Sequence, residues 1–80
     1  MKLPRDLSGQ EIVNGLRRVG YESVRQKGDH VYMTTARNGE HHVAIPLHRA
    51  VRVGTLASIL GAVADHLGIS REELFREMKL

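Results

Sequence analysis

The chain has 80 residues, which allows one hydrophobic core, because a chain of this length buries only roughly 60% of its unfolded surface. Apolar residues make up 41% of it and occur in short groups rather than in a run of about 20, so we expect no membrane span. The absence of cysteine excludes disulfides, thiolate metal sites and thiol nucleophiles. We expect a single domain, residues 1–80, located in the cytoplasm, since residues 1–6 do not resemble a secretory signal.

The positive charge is concentrated in the middle of the chain. Residues 17–52 contain seven Lys or Arg and three acidic residues, a net charge of +4, whereas the rest of the chain has a net charge of −1. Four of the five histidines lie in the same stretch. A polyanion such as nucleic acid would bind there, although a solvated protein face can have the same composition.

The first predicted element is a helix over residues 9–19. Ser8 and Glu11 have the spacing of a capping box, and Leu7 and Ile12 have the spacing of a hydrophobic staple. Gly20 stands where a helix commonly ends with a left-handed residue.

Three short strands are predicted next, over residues 21–27, 30–36 and 40–46, and they form an antiparallel meander. Val31 and Met33 must share the buried face with Val43 and Ile45 if one face of the sheet is apolar. That register requires a three-residue loop, residues 37–39, with a left-handed glycine at its end. His30, Tyr32 and Thr34 then point to the opposite, open face.

Helical spacing of apolar residues predicts a second helix over residues 53–67, which Gly68 ends. Ser70 and Glu73 repeat the capping-box spacing and begin a short last helix. The order is α-β-β-β-α plus a C-terminal helix. We therefore predict an α+β fold with a three-stranded antiparallel sheet and helices on one face.

The order and spacing of several short segments resemble the HicA-like (YcfA-like) toxins over roughly residues 8–75. The segments are Gly20-Tyr21, Arg25 to Met33, Val43 to Pro46 with His48, Val53-Gly54-Thr55-Leu56, Ser58-Ile59-Leu60, and Leu67-Gly68-Ile69-Ser70 with Glu72-Glu73. The resemblance implies a fold like double-stranded RNA-binding domains and the function of an mRNA interferase of a type II toxin–antitoxin system. It also implies metal-independent cleavage of mRNA and inhibition by a HicB-like antitoxin.

The same resemblance assigns the catalytic role to the histidine of a Gly-Ser/Thr-His turn, which here is His30. RNA carries its own nucleophile in the 2′-OH, and an imidazole can take that proton or protonate the leaving 5′-oxygen. Six further residues are candidates for RNA binding. They are Arg25, Lys27 and Arg52 as cations, Gly28 for close backbone approach to phosphate, Tyr32 for base stacking, and His48 at a family position opposite His30.

One residue departs from the family pattern, because Asp29 stands where the family has a hydroxyl. A carboxylate beside a phosphate site is expected to weaken RNA binding, and alternation along a strand would direct Asp29 and His30 to opposite faces. A non-catalytic RNA-binding module on the same fold therefore stays open as an alternative.

The sequence indicates no cofactor and no metal site. His41 and His42 diverge as consecutive strand residues, so they cannot chelate one ion. Residues 64–74 also have helix-turn-helix spacing, but Glu72 and Glu73 would face phosphates there, which argues against DNA binding. The oligomeric state stays open between a monomer and a homodimer.

Overall fold

The computed structural model describes residues 2–80 and has the element order that the sequence predicts. The helices are α1, Gly9–Arg18, α2, Val53–Leu67, and α3, Arg71–Met78. The strands are β1, Glu22–Lys27, β2, His30–Thr35, and β3, His41–Pro46. They form one antiparallel sheet in the order β1-β2-β3, which confirms the α+β prediction.

The predicted capping box begins α1. The Ser8 hydroxyl accepts a hydrogen bond from the Glu11 backbone N–H at 3.1 Å, and the Glu11 carboxylate accepts one from the Ser8 N–H at 3.0 Å. At the other end Gly20 has φ +105°, and the Tyr21 N–H donates to the Leu16 carbonyl at 3.0 Å. Tyr21 therefore belongs to the end of the helix, and its predicted place at the start of β1 is wrong.

The register of β2 against β3 is the predicted one. Val31 pairs with Ile45 and Met33 pairs with Val43. Val31, Met33 and Ile45 are buried, so this face of the sheet carries the core.

The β2–β3 loop is longer than predicted but keeps the register. The ladder ends at the pair Thr35 and His41, so the loop comprises residues 36–40 rather than 37–39. Gly39 has φ +99°, as the bulged loop requires, and Asn38 also adopts a positive φ of 58°.

The turn between β1 and β2 consists of two residues, Gly28 and Asp29. Gly28 has φ +60°, which a glycine adopts without a Cβ penalty. Lys27 is the partner of His30 across this turn, and Arg25 is the partner of Tyr32. A β-bulge follows at Val24, between Ser23 and Arg25.

α1 and α2 cover the apolar face of the sheet, α3 packs against both of these helices, and together the elements enclose a single core cluster. Its fully buried members include Ile12, Leu16, Met33, Ile45, Leu56, Leu60, Leu74 and Met78. None of the helices described in residues 2–80 is long and apolar enough to cross a membrane alone. The α2–α3 pair reaches that length and composition only together, and it is bent by 101°.

The start of α3 matches its prediction in part. The Ser70 hydroxyl accepts a hydrogen bond from the Glu73 N–H at 3.0 Å, as an N-cap does. Within residues 2–80 the Glu73 side chain makes no return bond to Ser70, so the capping box is incomplete.

Candidate functional site

The open face of the sheet carries the predicted catalytic residue. His30 and Tyr32 alternate along β2 with the buried Val31 and Met33, and so they point away from the helices. Lys27 lies opposite His30, and the Arg25 guanidinium lies 5.1 Å from the centre of the Tyr32 ring. The β1–β2 hairpin thus places two cations, an aromatic ring and an imidazole on one surface.

One carboxylate contacts two imidazoles at the end of this surface. Asp29 Oδ1 lies 2.9 Å from His30 Nδ1, and Asp29 Oδ2 lies 3.3 Å from His48 Nε2. The three side chains are 60%, 47% and 55% exposed for Asp29, His30 and His48 respectively. We call these two imidazoles, together with the carboxylate that joins them, the bridged histidine pair. They form a surface cluster that solvent and a polymer can reach.

The contact between Asp29 and His30 corrects the sequence-based expectation that these side chains point to opposite faces. That expectation used strand alternation, but Asp29 lies in the two-residue turn, where alternation does not apply. The sequence had already predicted a turn at Gly28 and Asp29, so the direction of the Asp29 side chain did not have to follow strand alternation. Sequence reasoning missed it by treating Asp29 as a strand residue.

Backbone hydrogen bonds fix the positions of Asp29 and His48. The Leu47 N–H donates to the Asp29 carbonyl at 2.6 Å and so continues the β2–β3 ladder past Pro46. The Gly9 N–H at the start of α1 donates to the His48 carbonyl at 2.9 Å. These two hydrogen bonds hold the backbone at Leu47 and His48 in place. The half-exposed His48 side chain therefore lies beside the β1–β2 turn, as the predicted register of β2 and β3 implied.

The pKa of the Asp29 carboxyl lies below its ordinary value. Desolvation raises the pKa, but the hydrogen bond from its own backbone N–H, the charge of His30 and the hydrogen bonds from both imidazoles lower it by more. Asp29 is therefore an anion at neutral pH and can only accept hydrogen bonds from the two rings. The proton on His30 is consequently at Nδ1, which leaves Nε2 as the nitrogen that faces away from Asp29.

The basic stretch divides into structural and surface cations. Arg17 donates to the Ser23 hydroxyl, Arg18 donates to the Met78 carbonyl, and Arg37 donates to the Val19 carbonyl. Arg18 and Arg37 thereby join parts of the chain that are distant in sequence, whereas the Arg17 contact is exposed. On the open face, β1 contributes the cations Arg25 and Lys27.

Arg52 is placed apart from the other predicted site residues. It is the N-cap residue of α2 and lines a groove with Lys2, Leu3, Arg5 and Val53. None of the other candidate residues lines that groove.

Another groove, of about 530 Å³, lies at the opposite end of the strands from His30. It contains Glu22, Thr34 and Glu40 but no candidate site residue. The bridged histidine pair is about half-exposed, which suits an extended ligand better than a small one.

His41 and His42 diverge, as predicted. His42 Nε2 contacts the Glu40 carboxylate at 2.9 Å on the open face, whereas His41 Nδ1 shares a hydrogen bond of 2.7 Å with the buried Tyr21 hydroxyl. The His41 ring stacks on His66 with centroids 4.5 Å apart. Among residues 2–80 no group of three or more His, Asp or Glu is arranged to hold a metal ion.

His66 stabilises the β2–β3 loop, which sequence reasoning did not foresee. Its Nε2–H lies 2.9 Å from the Arg37 carbonyl and 2.8 Å from the Gly39 carbonyl. The Asn38 amide donates in return to the His66 carbonyl at 2.7 Å. The loop is thus tied to the last turn of α2.

We expect His41 to make the fold less stable in acid. Desolvation, together with the nearby His66 and His42, lowers the pKa of His41 below its ordinary value of 6.5. Below about pH 6.5, His41 therefore binds a proton more readily in the unfolded chain than in the folded chain. The free energy of unfolding decreases as the pH falls from about 6.5 towards the lower pKa of His41 in the folded chain. Between pH 7.5 and pH 5.5, the melting temperature should fall less for His41→Gln than for the unmodified chain. Equal differences would contradict this role.

Comparison with known proteins places the chain in a family. A family model described as the HicA toxin of bacterial toxin–antitoxin systems matches residues 9–68, which include α1, the whole sheet and α2. No curated protein and no solved structure matched the chain. The match covers the Gly28–Asp29 turn, His30 and His48 in one segment. On that match, the chain belongs to the HicA family of toxins from bacterial toxin–antitoxin systems.

Proposed function

We propose that this toxin is an endoribonuclease that cleaves mRNA in the cytoplasm without a metal ion and that His30 is its catalytic residue. The observation that carries the proposal is the placement of His30 on the open face, with Nδ1 held by Asp29 and Nε2 directed away from it. An imidazole oriented by a carboxylate is suited to proton transfer at neutral pH. RNA is a fitting substrate because its 2′-OH supplies the nucleophile, so the protein has to move protons and orient the phosphate.

The surroundings of His30 fit a single-stranded polyanion. Lys27 and Arg25 on β1 supply positive charge beside the imidazole, and Gly28 has no atom within 4 Å of the position a Cβ would take. Phosphate can therefore approach the turn backbone closely. Tyr32, one pleat along the same face, offers a ring on which an unpaired base can stack.

Cleavage in the presence of EDTA tests the proposal. The purified chain is incubated with single-stranded RNA in EDTA, and the ends of the fragments are analysed. We expect fragments with a 2′,3′-cyclic phosphate and a 5′-hydroxyl, the products of attack by the 2′-OH. RNA binding without cleavage would instead identify a non-catalytic RNA-binding module. Cleavage that stops on metal removal would overturn the mechanism.

DNA binding by a helix-turn-helix has less support. The α2–α3 bend of 101° has the angle of that motif, but the N-terminal turn of α3 carries the exposed Glu72 and the half-buried Glu73. Carboxylates at that position oppose contact with DNA phosphates.

The antitoxin is expected to be HicB-like and to bind over the open face of the sheet. The other face is covered by helices, so the strands can be approached from one side only. A basic surface complementary to RNA is also complementary to an acidic protein, and a tyrosine beside cations is a typical anchor of interfaces. Inhibition would then result from occlusion of His30.

Replacing Tyr32 by alanine should weaken both RNA binding and antitoxin binding. Loss of an aromatic stacking platform costs about 1–3 kcal/mol per base, which corresponds to an RNA complex that is roughly 5- to 160-fold weaker. Titration calorimetry with each partner measures the effect. Glu72→Ala, an exposed change on α3, serves as the control and should alter either affinity by no more than about 0.5 kcal/mol.

Hydrogen exchange of the antitoxin complex provides an independent test of occlusion. Protection should appear at residues 28–34. Protection confined to α3 would show that the antitoxin inhibits from another surface.

A further inference from the structure

We propose that His48 is a second catalytic residue, the general acid of RNA cleavage, and that Asp29 is the positioning residue that holds His48 and His30 as a pair. The proposal rests on the proposed ribonuclease function and adds to it the group that protonates the leaving oxygen. Its basis is the bridged histidine pair, in which one carboxylate contacts His30 Nδ1 at 2.9 Å and His48 Nε2 at 3.3 Å.

Cleavage of an RNA phosphodiester by its own 2′-OH requires two proton transfers at different oxygens. One group must remove the 2′-OH proton, and another must donate a proton to the 5′-oxygen as its bond to phosphorus breaks. A single imidazole cannot act on both oxygens at once, since they lie on opposite sides of the phosphorus during in-line attack. A second titratable group beside the first can therefore act as the acid that protonates the 5′-oxygen.

Asp29 determines which nitrogens of the pair are available. Its carboxylate accepts the Nδ1–H of His30, so His30 Nε2 keeps its lone pair and can act as a base. It also accepts the Nε2–H of His48, so the Nδ1 of His48 faces away from the carboxylate. One carboxylate charge balances one imidazolium, which suits a pair that contains one neutral ring and one protonated ring.

The proposed reaction balances without an added reagent. His30 Nε2 accepts the proton of the 2′-OH as the 2′-oxygen forms a bond to phosphorus. The bond between phosphorus and the 5′-oxygen breaks, and protonated His48 donates its Nδ1 proton to that oxygen. The products are a 2′,3′-cyclic phosphate and a 5′-hydroxyl, and the two rings exchange protons with water to restore the starting state.

The position of His48 supports this role and makes substitution there informative. Its side chain is 55% exposed, while its backbone carbonyl is held by the Gly9 N–H. A His48→Gln substitution therefore removes the imidazole and keeps the backbone contact that anchors α1. His42→Gln is the matched control, because His42 is also an exposed histidine but pairs with Thr34, four residues along β2 from His30.

An RNA with a bridging 5′-sulfur at the cleavage site separates the general acid from other roles. A thiolate leaves without protonation, so loss of the acid should not slow its departure. We expect His48→Gln to cleave ordinary RNA about a hundredfold or more slowly than the unmodified chain and to cleave the 5′-thio RNA at a nearly unmodified rate. His30→Gln should be slow on both substrates, and His42→Gln should match the unmodified chain on both.

Asp29→Ala, which removes both the charge and the bridge, tests the positioning role through RNA affinity and cleavage rate, which should change in opposite directions. Removing a negative charge should tighten RNA binding, most clearly at low salt, whereas loss of the bridge should lower the cleavage rate at saturating RNA. A purely structural role for Asp29 would weaken both binding and cleavage.

The outcomes distinguish this inference from the function on which it rests. Normal cleavage of ordinary RNA by His48→Gln, or equal slowing on both substrates, would overturn the role of His48 and leave the ribonuclease intact. Absence of cleavage by the unmodified chain would overturn both.

Discussion

Replacing His30 by alanine is expected to abolish RNA cleavage while leaving the fold and its thermal unfolding nearly unchanged. Positioned proton transfer contributes about 10²–10⁴-fold to the rate, so the remaining activity should fall below detection in a standard assay. The fold should tolerate the change because His30 is half-exposed at the first position of β2, and a surface substitution there alters stability by no more than about 0.5 kcal/mol.

The measurement compares cleavage of one RNA in EDTA by the unmodified chain, His30→Ala and His42→Ala. His42 is the control, since its ring contacts Glu40 rather than Asp29. Thermal unfolding followed by circular dichroism confirms that each variant is folded. Equal cleavage by the unmodified chain and His30→Ala would remove His30 as the catalyst.

Replacing Gly9 by alanine should give the largest loss of stability of any change considered, although only one methyl group is added. A Cβ at this position would overlap the Pro46 carbonyl oxygen and lie 2.7 Å from Leu47 Cα. Both are backbone atoms, so α1 would have to move away from the end of β3. Overpacking of this kind costs about 3 kcal/mol or more, a large share of the stability of a chain this small.

Gly54→Ala is the matched control for Gly9→Ala. Gly54 lies in the first turn of α2, and a Cβ there would have no atom within 4 Å. Alanine at that position should be neutral or stabilising by up to about 1 kcal/mol, because it lowers the entropy of the unfolded chain. Denaturant unfolding gives the free energy of unfolding of each variant. Similar values would mean that the approach of α1 to β3 is not tight.

The strand register could be predicted from the sequence because two requirements determine it together. Val31, Met33, Val43 and Ile45 can share a buried face in only one parity, and the short loop that ends at Gly39 then selects the pairing of His30 with Pro46 among the registers of that parity. The starts of α1 and α3 were predictable because the Ser8 and Ser70 side chains accept hydrogen bonds from nearby backbone N–H groups.

The contacts of the site were harder to predict because they depend on turns and on tertiary packing. Asp29 reaches both imidazoles only because it occupies the turn rather than the strand. The placement of His48 depends on the Gly9 N–H, which comes from an element nearly forty residues earlier in the chain. Periodicity describes neither effect, since it concerns the direction of side chains within one regular element.

Under the proposed function, the exposure of the bridged histidine pair determines what kind of molecule could inhibit this toxin. Asp29, His30 and His48 each leave about half of their side chain in solvent, so a compound of drug size would find few walls around it there. Such compounds usually bury most of their own surface in a cleft. An effective inhibitor would instead have to extend across β1 and β2, as a peptide or a folded protein can. Such an inhibitor is a macromolecule rather than a small compound, and the antitoxin of a toxin–antitoxin pair would meet that requirement.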